Sequence, residues 1–113
     1  MEIRNSRVNG YPFLEVSGRV DLHTSSKLRS ALNQWVSKKA SCVLVEVDNV
    51  SHMDTSGVAT LIECQREMKE QGGKLLLVGV NHHVGEALSL AGVEDDFEVF
   101  QSRQQAAEEL PAE

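Results

Sequence analysis

The sequence predicts a single α/β domain: a mixed β-sheet that opens with an antiparallel hairpin and continues as alternating helices and strands. Three observations predict it. Asn9-Gly10, a strong two-residue hairpin turn, separates two strand-like stretches near the start. Apolar runs then alternate with stretches whose apolar residues recur at helical spacing, which implies parallel neighbours joined by crossover helices. Finally, 113 residues with 41% hydrophobic content suit one core, and an aromatic share of 4% makes that core aliphatic.

The first strand, residues 2–8, has mixed polarity, and residues 11–17 form its partner with Leu14 and Val16 on one face. Pro12 lacks an N–H and belongs near the strand's start or on an edge. Gly18 ends this strand, and residues 19–23 form a connecting loop. Thr24 or Ser25 caps a first helix, whose apolar stripe is Leu28, Ala31, Leu32, Trp35 and Val36. Trp35, the only Trp, is therefore read as a core residue.

Residues 42–47 are apolar except for Glu46 and suit a strand covered on at least one face and flanked by neighbours. The second helix spans about residues 56–71, with Val58, Leu61, Ile62, Gln65 and Met68 at helical spacing, and Gly72-Gly73 stops it. Residues 74–80 form another central strand. Asn81 caps a short helix through His82, His83, Val84, Ala87, Leu88 and Leu90, which Gly92 ends. Residues 97–100 give a last strand, Ser102 caps a final helix to about Leu110, and residues 110–113 are expected to fray. No repeat or linker marks a boundary, so residues 1–113 read as one domain.

Charge and composition narrow the function. Eleven Lys and Arg against 17 Asp and Glu give a net charge of −6, and the densest basic cluster is Lys38-Lys39. Binding to nucleic acid through phosphates needs a basic patch, so that class is disfavoured. No apolar run approaches the roughly 20 residues of a membrane helix, and the opening residues lack an apolar signal region. A cytoplasmic location without membrane insertion is the resulting expectation. Cys42 and Cys64 form no Cys-x-x-Cys pair and read as small buried apolar residues.

The candidate site lies in residues 50–62, Val-Ser-His-Met-Asp-Thr-Ser-Gly-Val-Ala-Thr-Leu-Ile. Asp54-Thr55-Ser56-Gly57 falls where a strand has ended and a helix begins. The three polar side chains are expected to cap that helix start, and Gly57 to let another surface approach the backbone. Helix N-termini carry unpaired N–H groups and partial positive charge, so a hydroxyl there tolerates an added phosphate. A helix cap alone also accounts for these four residues.

The histidines and hydroxyls support little else. His82 and His83 are adjacent and point in different directions, and a metal site needs more converging ligands. No metal or other cofactor is expected. His52, two residues before Asp54, could reach a bound phosphate, although a packing role suffices. Thr55 with His52 or His23 as base lacks a third orienting group, and no G-x-S-x-G elbow or phosphate-binding Gly-Lys loop is present. The chain is therefore not expected to be an enzyme.

Met53-Asp54-Thr55-Ser56-Gly57-Val58 after an apolar strand resembles the Asp-Ser-Ser-Gly-Leu signature of the STAS domain of bacterial anti-sigma-factor antagonists. Val16-Ser17-Gly18-Arg19-Val20-Asp21-Leu22-His23-Thr24 resembles that family's Gly-Glu-Leu-Asp loop. Gln71-Gly72-Gly73-Lys74-Leu75 matches its helix-ending glycines, and residues 87–93, Ala-Leu-Ser-Leu-Ala-Gly-Val, its third helix. The resemblance covers roughly residues 10–105.

The resemblance implies a switchable binding protein of the STAS fold. Its expected partner is an anti-sigma factor that is also a Ser/Thr protein kinase, and a metal-dependent Ser/Thr phosphatase acts on the phosphorylated form. The implied phosphoacceptor is Thr55, the first hydroxyl residue after the signature Asp. Asp21, His23, Thr24, Asp54, Thr55, Ser56 and Gly57 make up the implied partner surface. The acceptor is Thr where Ser is commoner, Gly57-Val58-Ala59-Thr60 stands for Gly-Leu-Gly-Val, and Arg19 replaces an acidic residue. Thr also occurs in relatives within lipid-transport complexes, where the partner is an ATPase, and in stress-signalling assemblies. Both remain alternative implications.

Overall fold

The computed structural model describes every residue from Met1 to Glu113. Strands β1 (Glu2–Val8), β2 (Tyr11–Val20), β3 (Cys42–Met53), β4 (Lys74–Val78) and β5 (Glu98–Phe100) form one sheet in chain order. β1 and β2 are antiparallel, and every later pair is parallel. Helices α1 (Ser25–Ser37), α2 (Thr55–Glu70) and α3 (His82–Leu90) make the crossovers, and α4 (Arg103–Glu109) follows β5. The expected mixed sheet with an opening hairpin is what forms.

Each crossover steps one strand in the same direction. Right-handed connections of that kind place their helices on one face of the sheet. Accordingly, Leu28 and Leu32 of α1, Leu61 and Met68 of α2, and Val84 and Leu88 of α3 share one core with Leu14, Val43, Val45, Leu75 and Leu77. Alternate strand residues point the other way. Phe13, Cys42, Leu44, Leu76 and Val78 form a second cluster with Ala106 of α4. β4 and the first part of β3 are thus covered on both faces, which explains their apolar runs, broken only at Glu46.

Two strands run further than the sequence suggested. Gly18 takes φ 88° at a register shift, so it bends β2 without ending it, and the strand continues to Val20. β3 continues to Met53. Val50 and Met53 keep facing the helices while Asp48, Asn49 and Ser51 are exposed. That end of β3 pairs only with β2, because β4 stops at Val78 before Gly79 turns with φ 67°.

Asn81 covers the edge that β4 leaves open. Its Nδ2 donates to the carbonyls of Asp48 and Val50 at 2.9 and 2.7 Å. Its Oδ1 accepts from the Val84 N–H at 3.0 Å and caps α3. One side chain therefore sets where α3 begins relative to the end of β3.

Three smaller expectations change. Trp35 is half-buried at the rim of the core, with Arg7 and Lys38 at 5.3 and 4.8 Å from its ring centroid. Residues 110–113, expected to fray, make hydrogen bonds to the opening turn. Asn9 Nδ2 donates to the Ala107 and Leu110 carbonyls, and the Glu113 N–H donates to the Asn9 carbonyl. A short 3₁₀ turn, Glu94–Asp96, stands between α3 and β5. Both cysteines are buried, and burial pushes the Cys42 thiol up to about 11 and the Cys64 thiol up to about 12.

The uncovered part of the second face carries a conflict of charge. Glu15 and Glu46 sit opposite each other on β2 and β3, both half-buried. Burial pushes the Glu46 carboxyl up, Glu15 and Asp48 add to this, and Arg103 opposes it. An acid raised in the folded state costs stability above its folded pKa, and the cost vanishes below its unfolded value. Glu46→Gln should therefore gain about 0.2–1 kcal/mol at pH 7 in urea denaturation. The gain should disappear near pH 4, roughly the unperturbed value of Glu.

Candidate functional site

The ends of β2 and β3 bring the predicted residues together. The Asp54 N–H donates to the Val20 carbonyl at 3.1 Å, which joins the start of α2 to the loop after β2. Asp54 has an extended backbone (φ −104°, ψ −172°), as an N-cap residue requires. Its Oδ1 accepts from the Ser56 N–H at 3.0 Å, the Gly57 N–H at 3.3 Å and the Ser56 hydroxyl at 2.6 Å.

The Ser56 hydroxyl is the main reason the Asp54 carboxyl lies below its ordinary range. Partial desolvation opposes it, and the Gly57, Ser56 and Leu22 N–H groups reinforce it. Asp54 is thus an ionised cap at the positive end of a helix.

The three polar residues do not share the capping that the sequence suggested. Asp54 caps, and Ser56 supports Asp54. Thr55, the first residue of α2, is exposed. The hydrogen bonds at this helix start run through Asp54, Ser56, Gly57 and Thr60, and none uses the Thr55 hydroxyl.

Gly57 also plays a different part. A Cβ there would lie 2.8 Å from both Met53 Cγ and Val20 Cγ1. Gly57 is buried, so the surface it admits is the protein's own pair of strands. This close approach seats the first turn of α2 against the sheet and leaves Thr55 facing outwards.

The loop after β2 is organised by Asp21. Its Oδ1 accepts from the His23 and Thr24 N–H groups at 2.9 and 3.2 Å, and its carbonyl accepts from the Thr24 and Ser25 N–H groups at 3.1 and 2.8 Å. Partial desolvation pushes the Asp21 carboxyl up, but hydrogen bonds from His23 and Thr24 outweigh it and hold it below the usual range. Arg19 pairs with its other oxygen at 3.5 Å.

Thr24 does not cap α1 through its side chain. Its hydroxyl donates to the Arg19 carbonyl at 2.8 Å and accepts from the Asp21 N–H at 2.9 Å, pinning the loop. His23 is exposed beside Asp21.

The sequence reading missed the apolar surface around Thr55. A cleft of about 260 Å³ opens between α2 and α3, lined by Met53, Val58, Ala87, Leu90 and Ala91 together with Asp54 and Thr55. Leu90 is 83% exposed and Leu22 is 75% exposed. Leu90 follows Leu88 by two residues, which turns it off the buried stripe of α3, so its exposure was available in the spacing. An adjoining depression holds His52, His83 and Glu86. His82 pairs with Glu86 at 3.3 Å. No group of three or more His, Cys, Asp or Glu is placed to hold a metal ion.

The model of the STAS domain matches residues 2–106. This chain belongs to the STAS domain family. Among its relatives is the anti-sigma-B factor antagonist of Listeria monocytogenes, 23% identical over 84 residues, or 74% of each chain. Another is the anti-sigma F factor antagonist of Paenibacillus polymyxa, 22% identical over 111 residues, covering 97% of this chain and 95% of that one.

The fold of this STAS domain is shared with the anti-sigma factor antagonist SpoIIAA of Bacillus, whose structure is known in two forms. The unphosphorylated form gives a TM-score of 0.76 at 16% identity over 91% of both chains. The phosphorylated form gives 0.71 at 16% identity over 91% of this chain and 95% of that one. No helix of the STAS domain is long and apolar enough to cross a membrane.

The capping of α2 is testable through Asp54. Asp54→Ala should lose about 0.5–2 kcal/mol at pH 7, and Asp54→Asn should recover most of it, since Asn caps comparably. A carboxyl lowered by folding contributes stability above its unfolded pKa and loses it as pH falls through the folded value. The gap between wild type and Asp54→Ala in urea denaturation should therefore narrow below about pH 4. An Asp54→Asn protein as weak as Asp54→Ala would contradict the cap.

Proposed function

We propose that this STAS domain is an anti-sigma-factor antagonist switched at Thr55. In its unmodified form it binds an anti-sigma factor that is also a Ser/Thr protein kinase, and so frees the sigma factor. Phosphorylation of Thr55 by that kinase ends the binding, and a metal-dependent Ser/Thr phosphatase restores it. The role is one of binding, not catalysis. The similarity to anti-sigma factor antagonists over most of the chain supports this reading, as does the existence of a phosphorylated form of SpoIIAA.

The observation that carries it is the division of labour between neighbouring hydroxyls. Ser56 is half-buried and donates to Asp54, whereas Thr55 is exposed at the first position of α2. A kinase needs a hydroxyl that leaves the fold intact when modified, and Thr55 meets that need. With the cognate kinase and ATP, wild type and Ser56→Ala should both gain phosphate by mass spectrometry, and Thr55→Ala should not. Phosphate entering Thr55→Ala at the wild-type rate would overturn the assignment.

At pH 7 a phosphate adds about −1.5 to −2 charges. The helix N-terminus favours it by roughly 0.3–1 kcal/mol, while the carboxylates of Asp54 and Asp21 oppose it. These opposed effects leave the fold nearly unchanged. A desolvated partner contact suffers more, since losing one well-packed contact costs about 2 kcal/mol or more, over tenfold in affinity. Thr55→Glu should keep a near-wild-type melting temperature yet bind the anti-sigma factor at least about tenfold more weakly by titration calorimetry. A large drop in melting temperature would indicate switching by unfolding.

A further inference from the structure

The turn that opens the sheet is held by the other end of the chain. Asn9 and Gly10 take φ 52° and 88°, the left-handed pair of a two-residue hairpin. Asn9 Nδ2 donates to the carbonyls of Ala107 and Leu110 at 2.8 and 2.9 Å, which the end of α4 would otherwise leave unpaired. The Asn9 carbonyl accepts from the Glu113 N–H at 3.0 Å.

This turn is also the one place in the chain where Asn precedes Gly. Without a side chain, Gly leaves its nitrogen open to the preceding amide, and Gly10 is exposed to water. The Gly10 nitrogen, losing its proton, attacks Asn9 Cγ. The Cγ–Nδ2 bond breaks, ammonia leaves, and a five-membered succinimide closes. Water then opens the ring to an aspartate or, through the side chain, an isoaspartate. Amide and water have become acid and ammonia, with nothing oxidised or reduced.

The folded turn opposes that attack. In the left-handed conformation ψ is about +47°, which places the following nitrogen anti to Cβ. Ring closure needs the two on the same side, so the turn must open first. Opening it withdraws the Asn9 carbonyl from Glu113 and Nδ2 from the end of α4.

We propose that Asn9 is a deamidation site kept closed by residues 107–113, and that its modification stops this tail from docking again. A carboxylate has no N–H to offer the Ala107 and Leu110 carbonyls, so oxygen would face oxygen. Glu113 stands beside Gly10 and adds like charge. Isoaspartate also lengthens the backbone of the turn. Ala106 and Leu110 pack with Val8, Phe13, Leu44 and Phe100, so the loosened tail uncovers this apolar cluster. The turn precedes β2, and Thr55 follows the far end of the parallel strand β3, so this modification stands apart from the proposed switch.

The test ages the full chain at mildly alkaline pH and follows Asn9 by peptide mapping and mass spectrometry. Leu110→Ala loosens the tail and should speed deamidation of Asn9 at least about threefold, in proportion to local opening. Asp54→Ala weakens the fold at the opposite end and should react at the wild-type rate. In hydrogen exchange, Asn9→Asp should release the Leu110 and Glu113 amides at least about threefold faster than wild type. An unmodified Asn9 in Leu110→Ala, or equal rates in Leu110→Ala and wild type, would overturn the proposal. Asp54→Ala accelerated as much as Leu110→Ala would make the whole fold the gate and overturn it too. Wild-type exchange in Asn9→Asp would remove the effect on docking.

Discussion

The carboxylate of Asp54 is the constraint on which the site depends. It satisfies N–H groups that the first turn of α2 would otherwise leave unpaired. Its own N–H donates to the Val20 carbonyl, which ties the end of β2 to the start of α2. Ser56 reinforces the carboxylate, and Gly57 presses the turn onto Val20 and Met53. With these neighbours committed to structure, Thr55 projects from a fixed backbone without contributing a hydrogen bond to it. A modification at that hydroxyl changes the surface and leaves the support beneath it in place.

The sheet topology puts this unit beside α3. Because the strands follow chain order with helices on one face, α2 and α3 are neighbours and leave a cleft between them. Asn81 fixes their spacing. It bonds the open edge of β3 and caps α3 with the same side chain. The apolar wall made by Ala87 and Leu90 is thereby placed against Met53 and Val58. Thr55 and the apolar cleft share one end of the molecule because one strand, β3, supports both.

Much of this was legible in the sequence, for identifiable reasons. Asn9-Gly10 could only be a tight turn, and the helix caps at Asp54, Asn81 and Ser102 all accept from their helices. What stayed hidden depended on tertiary context. The end of β3 was obscured because Asp48, Asn49 and Ser51 point to solvent, and Gly18 looked like a stop where it makes a bulge. The difference between Thr55 and Ser56 is one of side-chain direction, which composition does not encode. Gly57 was read as a point where another surface approaches, and the packing shows that the surface against it is the protein's own.

The central claim is that Ser56 belongs to the support and Thr55 does not. The most direct measurement of it is the Asp54 carboxyl pKa, followed by carbon-detected NMR titration in wild type, Ser56→Ala and Thr55→Ala. The Ser56 hydroxyl is the largest influence lowering that pKa. Ser56→Ala should therefore raise it towards the ordinary Asp value, while Thr55→Ala should leave it where it is in wild type. A pKa that rises in Thr55→Ala as much as in Ser56→Ala, or that ignores the loss of Ser56, would contradict the account.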